Sequence, residues 1–282
     1  MPDSGVTRKP VRLVHLSDIH FGAEDETALN AVETFISHVK PDAVIIAGDI
    51  TQSGRRSEFE AARAWFDKLG VQPVVAPGNH DTPVFHLPER MIAPFSRYAR
   101  YMVGLDAVGR LVELGGGLVR MSAINTARGM QGRINWADGV IDLEDLEAAL
   151  DRLAGGPPGA WRLLVCHHPL LEPGHSRVAV ETLRGVEALR RCAAARVDAI
   201  LTGHIHDAFA DPIASTARPM VQMGGGTLSV RLRATRPSFC VIMIDGEHMV
   251  QEIITIDRNG LEVRRNYDSL INQPGTLPEH VR

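Results

Sequence analysis

The chain has 282 residues, 44% of them hydrophobic, and a formal net charge of -4. This composition indicates a globular protein with a sizeable core, and the weak negative charge makes nucleic acid an unlikely partner on electrostatic grounds. The three cysteines are widely spaced, no apolar run is long enough to span a membrane, and the polar N-terminus lacks a signal-peptide pattern, so we expect a cytoplasmic protein with reduced thiols and no membrane partner.

Strands and helices alternate in the first third of the chain. Three apolar runs predict strands: VRLVHLSD at 11–18, PDAVIIAGD at 41–49 and VQPVVAPGNHD at 71–81. Apolar residues at helical spacing predict a helix over 24–40, and a second helix is expected to begin with a capping box of Ser57 and Glu60. Segment 82–101, which is rich in proline and aromatic residues, is a candidate lid over a site.

The remaining two thirds continue as a mixed α/β sequence and become rich in β-like runs. Strands are predicted in LVELGGGLVRMSAIN at 111–125, WRLLVCHHP at 161–169 and DAILTGHIH at 198–206. An amphipathic leucine stripe predicts a helix over 143–153, and a further helix is expected over 178–195. Because we find no repeat, charge block or linker, we predict a single domain over 1–282 with a β-rich part at 210–282.

Polar side chains gather where the predicted strands end. They are Asp18 and His20, Asp49, Asn79 and His80, His167 and His168, and His204 and His206. Two solvated histidines at a polar strand end would be the simplest interpretation of the last pair taken alone. The same placement after five separate strands instead indicates one site, because ligands of α/β sheets bind beyond the carboxyl ends of the strands.

The types of these residues indicate a metal site. Carboxylate and imidazole donors without thiolate suit Mn, Fe, Co, Ni or Zn, whereas Ca and Mg prefer oxygen alone. The donors also outnumber what one ion needs, which favours two divalent cations joined by a bridging anion such as a carboxylate. Such a centre would remain positively charged, and it would attract a phosphate ester and supply a nucleophile near neutral pH.

Five short motifs resemble those of the calcineurin-like metallophosphoesterase family. They are HLSDIHFG at 15–22, GD at 48–49, GNHD at 78–81, HHP at 167–169 and GHIH at 203–206. Their order and spacing match the family across about residues 13–206. The later stretches GGGTLSVRLR and PSFCVIMID resemble its bacterial branch of class III cyclic-nucleotide phosphodiesterases.

This resemblance implies a fold and a set of site residues. The fold would be a four-layer αββα sandwich, in which two packed mixed β-sheets are flanked by helices. The two cofactors would be divalent transition metal ions (Mn, Fe, Zn or Co), with ligands assigned as follows: Asp18, His20 and His206 to the first ion, Asn79, His167 and His204 to the second, and Asp49 bridging them. His80 would face the substrate and assist the leaving oxygen, and Asp81 would orient His80. Asn79 would also contact the substrate, and His168 would support substrate binding from outside the ligand set.

The resemblance also implies an activity, for which several alternatives stay open. We expect a dimetal phosphodiesterase that attacks small-molecule diesters in line with a metal-bridging hydroxide, and 3',5'-cyclic nucleotides are the expected substrates. A glycerophosphodiesterase, nuclease, phosphomonoesterase or nucleotide-lipid pyrophosphohydrolase would use the same ligands, and relatives that serve as protein-binding scaffolds are the non-enzyme alternative. By analogy with relatives, the protein could form a homodimer.

Overall fold

The computed structural model describes residues 9–132, 135–174, 176, 181–213, 220–233 and 235–269. A first sheet contains six strands: β1 (Val11–Leu16), β2 (Ala43–Ala47), β3 (Pro73–Ala76), β12 (Ser238–Asp245), β13 (His248–Asp257) and β14 (Gly260–Asp268). Their spatial order is β14-β13-β12-β1-β2-β3. The strands β1, β2 and β3 are parallel, whereas β12 to β14 are antiparallel, so the sheet is mixed.

A second mixed sheet also contains six strands: β4 (Val112–Leu114), β5 (Val119–Ala123), β7 (Trp161–Val165), β9 (Ala199–Thr202), β10 (Ala208–Ile213) and β11 (Met220–Gly225). Their spatial order is β10-β11-β9-β7-β5-β4, with β5, β7, β9 and β11 parallel. Two short strands, β6 (Gly139–Val140) and β8 (Thr182–Leu183), form a separate parallel pair.

Helices cover the outer face of each sheet. They are α1 (Glu26–Val39), α2 (Arg56–Lys68), α3 (Leu87–Ile92), α4 (Ser96–Tyr101), α5 (Leu143–Leu153) and α6 (Gly185–Ala194). The apolar faces of α1 and α2 pack on the first sheet, and those of α5 and α6 pack on the second. A third apolar cluster, formed by both sheets, fills the space between them. This arrangement confirms the four-layer αββα sandwich expected from the sequence.

Burial of both sheet faces explains why the parallel strands are continuous apolar runs. In β1, Leu13 belongs to the cluster between the sheets, whereas Val14 and Leu16 pack against the outer helices. In β2 the corresponding residues are Ile45 on the inner side and Ile46 on the outer side. Successive side chains of a strand point to opposite faces, so a strand buried on both faces has no polar alternation.

The starts of two helices differ from the sequence-based expectation. Helix α2 begins at Arg56 rather than after Ser57, because the Glu58 carboxylate accepts the N–H groups of Ser53 and Arg55 and so caps the helix. Helix α6 begins only at Gly185, which makes it shorter than the predicted 178–195. The preceding Thr182–Leu183 is a strand instead, paired with β6, and residues 177–180 lie outside the described part.

The candidate lid and the C-terminal part have defined structure. Segment 82–101 contains α3 and α4, and α4 packs near α2. The described residues between 210 and 269 include strands β10 to β14 and no helix, while 270–282 lies outside the described residues. Of the helices that the structure describes, none combines the length and apolarity that crossing a bilayer requires.

Candidate metal centre

The loops that follow β1, β2, β3, β7 and β9 meet at one end of the sandwich. Backbone hydrogen bonds join neighbouring loops: Asp18 N–H donates to Gly48 O at 3.1 Å, and Gly203 N–H donates to His167 O at 2.9 Å. One bond crosses between the sheets, from His204 N–H to Asp18 Oδ2 at 2.9 Å. Residues from five distant parts of the sequence therefore form a single site, at the edge where parallel strands end.

A first cluster combines three fully or nearly fully buried side chains. His20 Nε2 lies 3.2 Å from His206 Nε2, and His206 Nε2 lies 3.3 Å from Asp18 Oδ1. The third pair, His20 Nε2 and Asp18 Oδ1, is 3.8 Å apart. Asp18 Oδ1 is buried and has no hydrogen-bond partner in the described structure. Three donor atoms that face one another, one of them an orphaned carboxylate oxygen, fit a cation at their centre.

A second cluster lies next to the first. His167 Nε2 is 3.3 Å from Asp49 Oδ2, and the rings of His167 and His204 are 5.2 Å apart. Asn79 follows β3 in a short 3-10 helix, Asn79–Asp81, and is buried. Within the described ranges, Asn79 Oδ1 and His167 Nε2 are both buried atoms without a hydrogen-bond partner. These orphaned atoms again fit a metal ion, which would satisfy both.

Asp49 lies between the two clusters. Its Oδ2 is 3.3 Å from His167 Nε2 and 3.8 Å from His20 Nε2, while its Oδ1 accepts the His80 N–H at 2.8 Å. Asp18, Asp49 and His167 also form a group whose ligand atoms all lie within 4.8 Å of one another. One carboxylate is thus shared by both donor sets.

Burial and neighbouring charges put most of these groups in the form that binds metal. Burial lowers the pKa of His20 and of His204 to about 3, so both rings are neutral at pH 7. Burial alone would raise the pKa of Asp49, but His167 and other histidines outweigh it and hold the pKa well below its usual value. For His167, burial opposes the charge of Asp49, which prevails and raises the pKa to about 9. In the metal-free chain a proton on His167 thus takes the place of a cation.

Outer hydrogen bonds fix which ring nitrogen points into the site. His167 Nδ1 donates to Ala47 O at 2.9 Å, and His206 Nδ1 donates to Arg231 O at 2.7 Å. With Nδ1 held by a carbonyl, each ring directs Nε2 toward the carboxylates, and the Nε2 lone pair can bind a metal ion when that nitrogen carries no proton. Ligand histidines are commonly oriented in this way by a carbonyl.

The backbone at the site is unusual. Five non-glycine residues have positive φ angles between 51° and 71°: Asp18, His20, Asp49, His204 and His206. Two glycines make room for them, because a Cβ on Gly78 would lie 2.2 Å from Asp49 Oδ1 and one on Gly203 would lie 2.6 Å from Asp18 Oδ2. Left-handed backbone on this scale is characteristic of functional sites, where it turns side chains inward.

His80, Asp81 and His168 lie around the clusters. His80 Nδ1 donates to Gln52 O at 2.7 Å, which leaves Nε2 facing the site. The Asp81 carboxylate accepts from Gly78 N–H at 2.8 Å and from Thr51 N–H at 2.9 Å. Among the described hydrogen bonds, the His80 ring is therefore oriented by Gln52, while the buried Asp81 braces the loop beneath it.

His168 lies against the second cluster: one of its ring nitrogens is within 4.8 Å of ring nitrogens of His167 and His204, yet both of its nitrogens contact protein groups. Its Nδ1 is 2.8 Å from Thr126 Oγ1, and its Nε2 donates to Ala137 O at 2.9 Å. Its ring nevertheless packs 4.6 Å from the ring of His204. With both nitrogens occupied by protein groups, His168 contributes to the position of His204.

The sequence analysis missed Arg231, whose guanidinium reaches the site. Its Nη1 lies 3.2 Å from His80 Nε2 and 3.3 Å from Gln52 Oε1. Arg231 follows β11 by six residues and stands in an arginine-rich stretch, RLRATR. No strand-end position singled it out, and one arginine among several gave no signal.

A family model described as calcineurin-like phosphoesterase matches residues 11–208. The chain belongs to the calcineurin-like phosphoesterase family. This phosphoesterase is a metal-dependent enzyme, because the family uses a dimetal centre and because the two donor clusters of this chain are able to bind metal ions. The family and the cofactors expected from the sequence motifs are thereby confirmed.

Similar proteins include phosphodiesterases and a phosphatase. A probable cyclic nucleotide phosphodiesterase of Synechococcus sp. is 24% identical over 213 residues, which are 70% of this chain and 74% of the relative. A probable glycerophosphodiester phosphodiesterase GpdQ of Arcobacter nitrofigilis is 27% identical over 69% of this chain and 71% of its own. A solved dimetal phosphatase from Danio rerio has the same fold, with a TM-score of 0.64 and 13% identity over 91% of this chain and 99% of its own.

Proposed function

We propose that this phosphoesterase hydrolyses phosphodiesters, with 3',5'-cyclic nucleotides as its substrate class. The observation that carries the proposal is the pair of clusters around Asp49, whose inward atoms on Asp18, Asn79 and His167 are buried and unsatisfied in the described structure. A relative named as a probable cyclic nucleotide phosphodiesterase aligns over 70% of the chain and supports the substrate class.

The ligand roles follow the two clusters. Asp18, His20 and His206 would hold one ion, while Asn79, His167 and His204 would hold the other, with Asp49 between them. Oxygen and imidazole donors without thiolate suit Mn, Fe, Zn or Co. When bound, two such ions supply a hydroxide nucleophile near neutral pH and withdraw charge from the phosphoryl oxygens.

The chain's own groups position the substrate and assist the leaving oxygen. Gln52 O holds His80 Nδ1, so Nε2 is the ring nitrogen that would meet the departing alkoxide. His80 would stabilise the charge that develops there or protonate the oxygen. Asp81 keeps the Asn79–Asp81 turn in place through Gly78 and Thr51, and thereby fixes the position of His80.

The deciding experiment compares two diesters on metal-stripped protein reconstituted with Mn. We expect turnover of 3',5'-cyclic AMP at a rate comparable with, or above, that of an aryl phosphodiester. His206→Ala should remove a ligand of the first ion and abolish both activities. Hydrolysis of the aryl ester alone would discard the nucleotide assignment while keeping the diesterase. No hydrolysis of either diester by the metal-loaded wild type would overturn the proposal.

A variant of His80 separates the leaving-group role from metal binding. We expect His80→Ala to keep its metal ions yet lose about 100-fold or more in kcat, a typical contribution of a general acid or base. Metal content by elemental analysis and steady-state kinetics would be measured together. Loss of the metal in this variant would instead make His80 a ligand, as its proximity to Asp49 and His20 permits.

Glycerophosphodiesters are the second candidate substrates. The Arcobacter relative, named as a probable glycerophosphodiester phosphodiesterase, is 27% identical over 69% of the chain. Glycerophosphoethanolamine should therefore be included in the same assay.

Three expectations from the sequence remain predictions. They are the single-domain extent over 1–282, a cytoplasmic location and a homodimer.

A further inference from the structure

The guanidinium of Arg231 lies beside the first cluster and next to the group expected to face the substrate. Its Nη1 lies 3.2 Å from His80 Nε2, 3.3 Å from Gln52 Oε1 and 3.5 Å from His20 Nδ1. None of the three is a carboxylate. Within the described ranges no carboxylate forms an ion pair with Arg231, and its other two guanidinium nitrogens make no hydrogen bond. A half-buried arginine therefore stands at the site without an anionic partner.

The backbone around Arg231 is fixed from both sides. Thr227 Oγ1 donates to Asp18 O at 2.7 Å and contacts Ser229 Oγ at 2.9 Å, and Ser229 Oγ accepts the Arg231 N–H at 3.3 Å. On its other side, Arg231 O accepts from His206 Nδ1 at 2.7 Å. Both Thr227 and Ser229 are fully buried. The loop thus holds Arg231 in a defined position relative to two metal-site residues, Asp18 and His206.

The contact of Arg231 Nη1 with His20 Nδ1 is long for a hydrogen bond, at 3.5 Å, so His80 Nε2 and Gln52 Oε1 are its nearer partners. A planar guanidinium carries five N–H groups, and its natural complement is a phosphate oxygen.

We propose that Arg231 is a substrate-binding residue, which donates from its guanidinium to a non-bridging oxygen of the phosphate beside His80. The inference rests on the proposed function for the reaction, but the binding step itself concerns only a phosphate group. Arg231 would hold the phosphate at the same edge where His80 Nε2 meets the leaving oxygen. Arg231 would thereby both bind the phosphate and orient its leaving oxygen toward His80.

The test measures anion binding by metal-loaded protein, which does not depend on turnover. Wild type, Arg231→Gln, Arg231→Lys and the control Arg236→Gln are titrated with inorganic phosphate and with fluoride by calorimetry, after their metal content is measured. Arg236 is an exposed residue of the same loop region and pairs with Asp257, so its variant removes one positive charge away from the site. Fluoride can bind the metals, but as a monatomic anion it has no oxygen to which Arg231 could donate while the metals hold it.

We expect Arg231→Gln to bind phosphate at least about tenfold more weakly than wild type, since a hydrogen bond between charged groups is lost. The metal content and fluoride affinity of Arg231→Gln should be unchanged. The phosphate affinity of Arg231→Lys should lie between those of wild type and Arg231→Gln, because lysine keeps the positive charge but lacks the paired N–H donors of a guanidinium. Arg236→Gln should match wild type for both anions.

Two results would overturn the inference. Equal phosphate affinity in wild type and Arg231→Gln would show that Arg231 does not touch the phosphate. Parallel losses of metal, fluoride and phosphate would show that it acts only by positioning His206. A phosphate affinity that depends on Arg231 in a protein that hydrolyses no diester would support this inference while rejecting the proposed function, so the two fail separately.

Discussion

His167 is a proposed metal ligand whose pKa is raised, whereas burial lowers the pKa of His20 and of His204. Its imidazole is completely buried, and such burial disfavours the charged form, yet the Asp49 carboxylate 3.3 Å away raises its pKa to about 9. In the metal-free protein His167 is therefore an imidazolium at neutral pH. A metal ion must displace this proton, so metal binding weakens as the pH falls.

The same shift predicts how the stability of the metal-free protein changes with pH. Because the folded pKa is above the unfolded value of about 6.5, His167 stabilises the folded state fully below that value, and this contribution is lost as the pH rises through about 9. Between pH 7 and about pH 8.5 the free energy of unfolding should fall by about 2 kcal/mol. Over this interval the folded state binds about one proton more than the unfolded state, and each pH unit then costs about 1.4 kcal/mol. Urea denaturation of chelator-treated protein measures this.

Other groups with shifted pKa values titrate mainly outside that interval. Asp81, whose pKa is raised to about 7 by burial and then by Asp49, contributes stability that is present at low pH and is mostly lost as the pH rises to about 7. The buried cysteines, whose pKa values burial raises, act mainly above the unfolded thiol value of about 8.5. Metal-loaded protein is the control, since its His167 has no proton to lose. A metal-free protein with constant stability over this interval would contradict the assigned charge of His167.

At the scale of elements, the turn from β3 into the Asn79–Asp81 helix has no room for a side chain. Gly78 has extended backbone, with φ at -114°, but a Cβ there would lie 2.2 Å from Asp49 Oδ1 and 2.3 Å from Asp49 N. We expect Gly78→Ala to displace Asp49, to abolish metal binding, and to cost about 1–3 kcal/mol of stability through overpacking. Metal analysis and urea denaturation would measure the two effects.

The matched control is Gly132→Ala. Among the residues that the structure describes, no atom lies within 4 Å of a Cβ built on Gly132, and the φ angle of Gly132 is not in the left-handed region. This variant should keep the metal and wild-type stability. If Gly78→Ala also kept its metal, the close approach of Gly78 to Asp49 would not be required by the site.

The two helices of segment 82–101 differ in how firmly they are held. Helix α3 buries none of its residues, whereas α4 buries Tyr98, whose hydroxyl donates to Asp106 Oδ1 at 3.0 Å. Arg97 also anchors α4 by donating to Gly54 O at 2.8 Å. We expect amides of α3 to exchange with solvent much faster than those of α4 in hydrogen-exchange mass spectrometry. Similar protection in both helices would argue against α3 as a movable lid.

Element boundaries show the limit of sequence patterns at this scale. The strands of the αββα core could be predicted from their apolar runs, since burial of both faces leaves a strong signal. The start of α2 could not, because Glu58 caps it by accepting N–H groups from Ser53 and Arg55, a contact that depends on the folded loop. The start of α6 was misplaced because Thr182–Leu183 pairs with β6, a partner about 40 residues away.

Across the whole molecule, the metal centre joins the two sheets. Asp18, His20, Asp49 and Asn79 follow strands of the first sheet, whereas His167, His204 and His206 follow strands of the second. Ions bound between them would connect both halves of the sandwich. Binding to the folded state alone stabilises it by mass action, so loading should affect global unfolding rather than one sheet.

We therefore expect metal removal to lower Tm by roughly 10 °C. A metal concentration about a thousandfold above Kd contributes about 4 kcal/mol, and each kcal/mol shifts Tm by about 2–4 °C in a chain of this size. Calorimetric scans with Mn and with chelator measure the difference. His206→Ala is the control and should show a much smaller shift. If Mn raised the Tm of His206→Ala as much as that of wild type, the stabilising ion would have to bind at another site.

The site was predictable from sequence to the extent that strand ends reveal it. Asp49 and His204 stand where apolar runs stop, and this position alone marks them as candidates. The different roles of His167 and His168 were expected only from the family resemblance, because their physical basis is the contact of Ala47, Thr126 and Ala137 with particular ring nitrogens in the folded chain. Arg231 was missed because its proximity to His80 results from a loop between two strands of different sheets.

The five left-handed residues have an evolutionary consequence. Each non-glycine residue in this conformation costs about 1–2 kcal/mol relative to ordinary backbone, and the cost is present whether or not a cation is bound. Replacing His20 or His204 by glycine would relieve this strain while removing a ligand. A lineage released from selection for catalysis could thus gain stability by losing its donors, a trade-off between activity and stability.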